Sequence, residues 1–190
     1  MQMNNSRLVK ISKYLSKHLR HTPEEIGITL AKGGWVSVAQ LMEGSQKNGF
    51  SFTHAELDEV VAKNDKKRFS FDSTGKLIRA NQGHSVEVDL QLTSTLPPDV
   101  LYHGTGANAV ASILQNGLCK MSRHHVHLTT SISTAKKVGT RHGKPVVFAV
   151  DAVAMHKDGY EFYCSENEVW LVDYVPPKYL RLMEIELTQK

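Results

Sequence analysis

Four cationic side chains in this sequence stand where a phosphate could be held. They are Arg20 and His21 in "SKHLRHTP", Arg68 in "NDKKRFSF" and Arg123 in "MSRHHVHL". A guanidinium presents a fixed fork of N–H donors that matches phosphate oxygens, and it keeps its charge at any physiological pH. A histidine among arginines can pass a proton near neutrality. Together they suit the holding of an anion and the stabilisation of charge during phosphoryl transfer. Lys17 and His18 complete the basic cluster, and as a solvated helix end they complement the helix dipole, worth about 0.3–1 kcal/mol each.

Other chemistries are thinly represented. "RHHVHLT" puts His125 and His127 on one face of a strand, and His103 sits in "YHGT". Zinc sites ordinarily draw on cysteine pairs or H-E-x-x-H; neither occurs, so no metal is expected. There is no G-x-S-x-G nucleophile motif, and neither common glycine-rich phosphate loop is present. The "HGTG" stretch at 103–106 reads as a turn between strand and helix, whose backbone N–H groups can receive an anion. Cys119 and Cys164 form no C-x-x-C pair and read as inert thiols.

The elements that must position these residues follow from periodicity. Leu8, Ile11, Leu15 and Leu19 have helical spacing, with Ser6 as N-cap and an end near His21, because Pro23 disfavours the α conformation at Thr22. Two further helices begin at capping-box spacings, Ser37 with Gln40 and Thr53 with Glu56. "RFSFDSTGKLIRA" then alternates around a turn and reads as a β-hairpin. Three helices and a hairpin are the order of a winged-helix domain, and there the hairpin can bring Arg68 back beside the first helix. Thr93–Pro98 reads as a connection, with two prolines that neither helix nor central strand tolerates. Beyond it, "VLYHGT", "HVHLTT", "PVVFAVDA", "EVWLVDY" and "LRLMEIEL" read as strands, with helices near Ala107–Gln115 and Ser133–Thr140. The fold class expected is α+β, with lobes at 1–92 and 93–190.

Composition bounds the function. The chain has 190 residues, 41% of them hydrophobic and 22% charged, as in an ordinary soluble globular protein. No apolar run nears the roughly 18 residues of a membrane span, and the N-terminus lacks a signal-peptide pattern, so a cytoplasmic monomer is expected. Residues 1–80 hold 13 Lys+Arg against 8 Asp+Glu, while residues 81–190 hold 10 against 11. A basic front half suits a phosphate-rich partner such as nucleic acid.

At "LSKHLRHTPEEIGITL", "GWVSVAQL", "DKKRFSF", "IRANQGHS", "LYHGT", "RHHVHLT", "VGTRHGKPVVF" and "ENEVWLV" the sequence resembles the NAD-dependent RNA 2′-phosphotransferases, the tRNA-splicing 2′-phosphotransferase family. The resemblance runs from about Ser12 to Val175. It implies a winged-helix-like RNA-binding N-lobe and an ADP-ribosyltransferase-like C-lobe that binds NAD. It also implies an Arg-His-Arg-Arg tetrad at Arg20, His21, Arg68 and Arg123, an NAD pocket at His103, Gly104 and Thr105, and His127 at the second position of the ADP-ribosyltransferase triad. Val169 takes the third position, with Glu168 on the opposite face of the strand. His84 in "QGHS" and Arg141 in "TRHG" are placed near the substrates.

The reaction so implied has two steps. An internal RNA 2′-phosphate attacks C1″ of the nicotinamide ribose, giving an ADP-ribosylated RNA phosphate and nicotinamide. The ribose 2″-hydroxyl then attacks phosphorus and releases 2′-OH RNA and ADP-ribose 1″,2″-cyclic phosphate. NAD is consumed, and no metal is needed. Two alternatives stand beside it: an ADP-ribosyltransferase acting on nucleic-acid phosphate ends or protein, and a non-catalytic winged-helix nucleic-acid-binding protein.

Overall fold

Ile11, Leu15 and Leu19 recur every four residues and have no accessible surface, and this stripe seats the first helix, α1 (Asn5–His18). The coordinates are those of a computed structural model, which describes residues 5–64 and 66–183. The chain divides into two compact units, Met1–Gln91 and Leu92–Lys190.

In the first unit α1 ends three residues before the expected boundary. Helical hydrogen bonding nevertheless continues, from Leu19 N–H to the Leu15 carbonyl and from His21 N–H to the Lys17 carbonyl, each 2.9 Å. A 3-10 turn at Pro23–Ile26 then redirects the chain. Ser6 lies inside α1 rather than at its cap. Strand β1 (Trp35–Ser37) runs into α2 (Val38–Lys47), where the Ser37 hydroxyl accepts from Gln40 N–H. Helix α3 (His54–Ala62) has the full capping box of Thr53 and Glu56. Strands β2 (Phe69–Phe71) and β3 (Leu77–Ala80) form the expected hairpin, and β1 joins it in an antiparallel sheet of order β1-β3-β2. Leu41, Leu57, Phe69 and Ile78 close the core beneath α1.

The second unit begins with β4 (Val100–Gly106), α4 (Val110–Asn116), β5 (Leu118–Cys119) and β6 (Val126–Leu128). It continues through α5 (Ile132–Gly139), β7 (Pro145–Asp151), α6 (Ala152–Lys157) and β8 (Tyr163–Cys164), and ends with β9 (Trp170–Val172), β10 (Tyr174–Val175) and β11 (Leu180–Met183). The strands form antiparallel sheets of order β11-β7-β4, β6-β9-β8 and β10-β5. Reciprocal bonds between Tyr102 and Thr129, at 2.8 and 3.0 Å, tie β4 to the end of β6. Leu101, Phe148, Val150, Met155 and Phe162 are among the fully buried side chains of its core. The mixture of helices and antiparallel sheets is α+β.

Three sequence expectations change here. "HGTG" is not a turn: residues 103–106 finish β4 and pair with Phe148 through Pro145. Its glycines answer to close backbone approach instead. A Cβ on Gly104 would lie 1.7 Å from the Ala135 carbonyl oxygen, and one on Gly106 would lie 2.2 Å from that of His142. Second, the end of "PVVFAVDA" turns into α6, capped by the Asp151 carboxylate accepting from Ala154 N–H. Third, in "ENEVWLV" only Trp170–Val172 is strand. Glu168 closes a turn on Ser165 with a left-handed φ of 59°, so strand alternation does not set its direction. Residues 184–190, including the end of "LRLMEIEL", lie outside the described residues.

Candidate active site

The turn after α1 presents Arg20 and His21. Its geometry is fixed by a loop 64 residues downstream: Ser85 and Val86 N–H both donate to the Arg20 carbonyl, at 2.9 and 3.3 Å, and Ser85 Oγ lies 2.8 Å from His21 Nδ1. Arg20 is half-buried, with Nε and Nη2 of its guanidinium inaccessible and the group lying over the Phe69 ring, 5.9 Å from its centroid. Arg68 immediately precedes Phe69, and its Nη1 donates to Asn64 Oδ1 at 3.0 Å. His21 and Arg68 line one groove of about 460 Å³, together with Val9, Ser12, Lys13, Ser16 and Lys17. Three of the four cations named from the sequence therefore gather in the first unit.

The other two cations of "SKHLRH" have separate fates. Lys17 pairs with Glu25, holding that carboxyl below its usual range. His18 is not part of a solvated helix end. Only 1% exposed, it packs against Tyr14 and donates from Nδ1 to the Thr22 carbonyl at 3.0 Å. Its place three residues after Leu15 puts it on the buried stripe.

Arg68 rests on residues that sequence reasoning missed. The left-handed backbone of Lys67, with φ 40°, is held by Asn81. Asn81 Nδ2 donates to the Lys67 carbonyl at 2.7 Å, and its N–H donates to the Arg68 carbonyl at 2.9 Å. His84, expected near substrate, has no accessible surface and stands close beneath Gly34, so it supports the loop from inside. Ser85 is the member of that motif that reaches His21. A polar run just past a strand end, "NQGHS", was the available signal.

In the second unit Arg123 Nη1 donates to His127 Nδ1 at 3.0 Å. A guanidinium only donates, so in this bond Nδ1 accepts and the ring proton lies on Nε2. The His127 carbonyl in turn accepts from His103 Nδ1 at 3.0 Å. Burial of His103 pushes its pKa below the ordinary histidine value, with His142 adding to the effect and the His127 carbonyl opposing it. His103 is thus a neutral ring with its proton on Nδ1 and a lone pair on Nε2. Gly104 and Thr105 are buried within β4. Arg141 is exposed in the 3-10 turn Thr140–His142, after α5. Val169 is half-buried, its backbone bonded to Ser165 on both sides. No group of three or more His, Cys, Asp or Glu side chains suited to a metal occurs among the described residues. No helix among them is long and apolar enough to cross a membrane.

Known proteins share this chain nearly end to end. The family described as "RNA 2'-phosphotransferase, Tpt1 / KptA family" matches residues 6–174. A protein of Nostoc punctiforme named "Probable RNA 2'-phosphotransferase" is 68% identical over 179 residues, which cover 94% of this chain and 99% of that one. A relative of the same name from Trichormus variabilis is 61% identical, covering 95% of this chain and 100% of its own. Another from Streptomyces griseus is 52% identical, covering 95% and 99%. With a family match that runs through both units and a relative 68% identical over 94% of its length, the chain belongs to the RNA 2′-phosphotransferase family.

Proposed function

We propose that this chain removes an internal RNA 2′-phosphate by transferring it to NAD, and that the line Arg123–His127–His103 is the NAD side of the site. That line is the observation that carries the reading. It wires a permanent cation, able to hold the phosphate, to two histidines suited to ribose hydroxyls, all within one unit. His103 fits a nicotinamide ribose because its neutral Nε2 can accept from a hydroxyl. The neutral His127 keeps Nε2–H as a donor. The reading takes unit one as a winged-helix-like RNA lobe, supported by its three helices and three-stranded sheet, and unit two as an ADP-ribosyltransferase-like lobe.

In the first step a 2′-phosphate oxygen forms a bond to C1″, and the C1″–nicotinamide bond breaks with its electron pair leaving on nicotinamide. The phosphate is already a nucleophile, so the protein's task is alignment of two anionic substrates. Arg20 and Arg68 clamp the RNA phosphate, and Arg123 supplies the guanidinium of the NAD-binding unit. In the second step the 2″-hydroxyl oxygen bonds to phosphorus and loses its proton, while the bond from phosphorus to the RNA 2′-oxygen breaks and that oxygen gains a proton. Charge spread over the phosphoryl oxygens is met by the fixed guanidinium groups. His21 donates the proton: as imidazolium it gives Nδ1–H to Ser85 Oγ and keeps Nε2–H for the leaving oxygen.

The test incubates the protein with NAD and an oligoribonucleotide bearing one internal 2′-phosphate and resolves the products. Dephosphorylated RNA with ADP-ribose 1″,2″-cyclic phosphate supports the proposal. A stable ADP-ribosylated RNA as end product would reassign the chain to ADP-ribosyl transfer alone. No consumption of NAD would leave a nucleic-acid-binding role.

A further inference from the structure

The groove that ends at His21 and Arg68 does not stop at the phosphate site. Val9, Lys13, Lys17 and His21 form one column along α1 and its continuing turn, spaced every four residues, with Ser12 and Ser16 in the adjacent column. Each step along the column rises about 6 Å, so a basic side chain recurs at every turn for three turns. No carboxylate lines the groove among the described residues. Lys17 is shared with Glu25, whereas the Lys13 ammonium makes no ion pair or hydrogen bond to a described residue. Val9 leaves 46% of its surface exposed at the far end, an apolar spot beside hydroxyls and cations.

We infer that this groove is a track for the single strand flanking the 2′-phosphate. Lys13 and Lys17 meet successive backbone phosphates, Ser12 and Ser16 donate to phosphate oxygens, and Val9 packs against a sugar or base. The inference rests on the RNA 2′-phosphotransferase reading and adds where the strand lies. Cations at helical intervals neutralise a strand without reading its sequence, while hydroxyls fix its register. Arg68 and His21 close one end, so the strand enters along α1 and delivers its 2′-phosphate to them.

The test compares kcat/KM for two substrates, a dinucleotide and a decanucleotide, each with one internal 2′-phosphate, in wild type, Lys13→Ala and Lys10→Ala. Lys10 is exposed on α1 but outside the groove and serves as the control. In Lys13→Ala the preference for the decanucleotide over the dinucleotide should fall about tenfold, chiefly through KM, and the decanucleotide's logarithmic salt slope should flatten by about 0.7 for one lost phosphate contact. Lys10→Ala should leave preference and slope as in wild type. An equal change for both substrates in Lys13→Ala, or none, overturns the track while leaving the activity standing. Failure of wild type to turn over either substrate overturns the phosphotransferase reading and the track with it.

Discussion

Asn81 holds Arg68 by the backbone: its N–H donates to the Arg68 carbonyl at 2.9 Å, and its side-chain amide donates to the Lys67 carbonyl at 2.7 Å. These bonds fix a left-handed lysine immediately before the arginine, a conformation that costs a non-glycine residue about 1 kcal/mol or more without support. Asn64 holds the other end, accepting from the guanidinium.

Asn81→Ala should therefore destabilise the protein by about 0.5–1.5 kcal/mol, since the Lys67 carbonyl loses a part-buried hydrogen bond. Because the strand end that aims Arg68 relaxes, kcat for 2′-phosphate removal should fall as well, with KM for NAD little changed. Urea denaturation read beside steady-state kinetics tests both parts. A variant that is destabilised but keeps wild-type kcat would show that Asn81 serves folding alone.

Ser85 orients His21, and the two positions should separate kinetically. His21→Ala removes the proposed general acid and should slow the second step by about 10²- to 10⁴-fold, so that ADP-ribosylated RNA accumulates. Ser85→Ala leaves the imidazole but frees its rotation, and a smaller loss in the same step is expected. Product analysis by gel and mass spectrometry distinguishes them. If His21→Ala consumed NAD and released RNA at the wild-type rate, the acid role would be lost.

What the sequence disclosed and what it hid divide along local and distant interactions. The Ser37 and Thr53 caps were legible because each cap and its partner lie three residues apart. The hairpin was legible from alternation around "DSTG". The glycines of "HGTG" were misread because the groups that demand them, the carbonyls of Ala135 and His142, lie about thirty residues further on. The cations of the candidate site announced themselves by type. Asn64, Asn81 and Ser85 did not, because each is a neutral side chain whose task appears only once distant backbone is brought beside it. His18 was legible in principle, since its helical position falls on the stripe of Ile11 and Leu15.

His103 should titrate below its ordinary value of 6.5, since burial disfavours its charged form. Between that lowered folded value and about 6.5 the unfolded chain binds a proton that the folded chain refuses. The stability this histidine contributes is thus present above about pH 6.5, declines as pH falls through that window, and levels off below the folded pKa. His125, lowered mainly by its own burial, acts in the same direction, so His103→Gln should flatten only part of the acid-side slope. Imidazole proton resonances followed against pH give the midpoint directly, and a His103 midpoint at or above 6.5 would contradict the neutral acceptor assigned to it.

Gly104 tests whether the "HGT" stretch is a packing device as well as the pocket wall proposed for it. A Cβ there would fall 1.7 Å from the Ala135 carbonyl oxygen and 2.5 Å from its carbon, so β4 and α5 would have to part. Neither can yield cheaply: β4 is paired with β7 along its whole length, and Ala135 is itself buried. Overpacking of this kind costs about 1–3 kcal/mol and more where backbone must move, so Gly104→Ala should lower the unfolding midpoint sharply. Gly143→Ala is the contrasting control. It also adds one methyl, but that methyl meets nothing within 4 Å, and its cost is that of the positive φ of 108° alone. Gly104 itself has no positive φ, so losses no larger than those of Gly143→Ala would show that β4 and α5 relieve the contact at little cost.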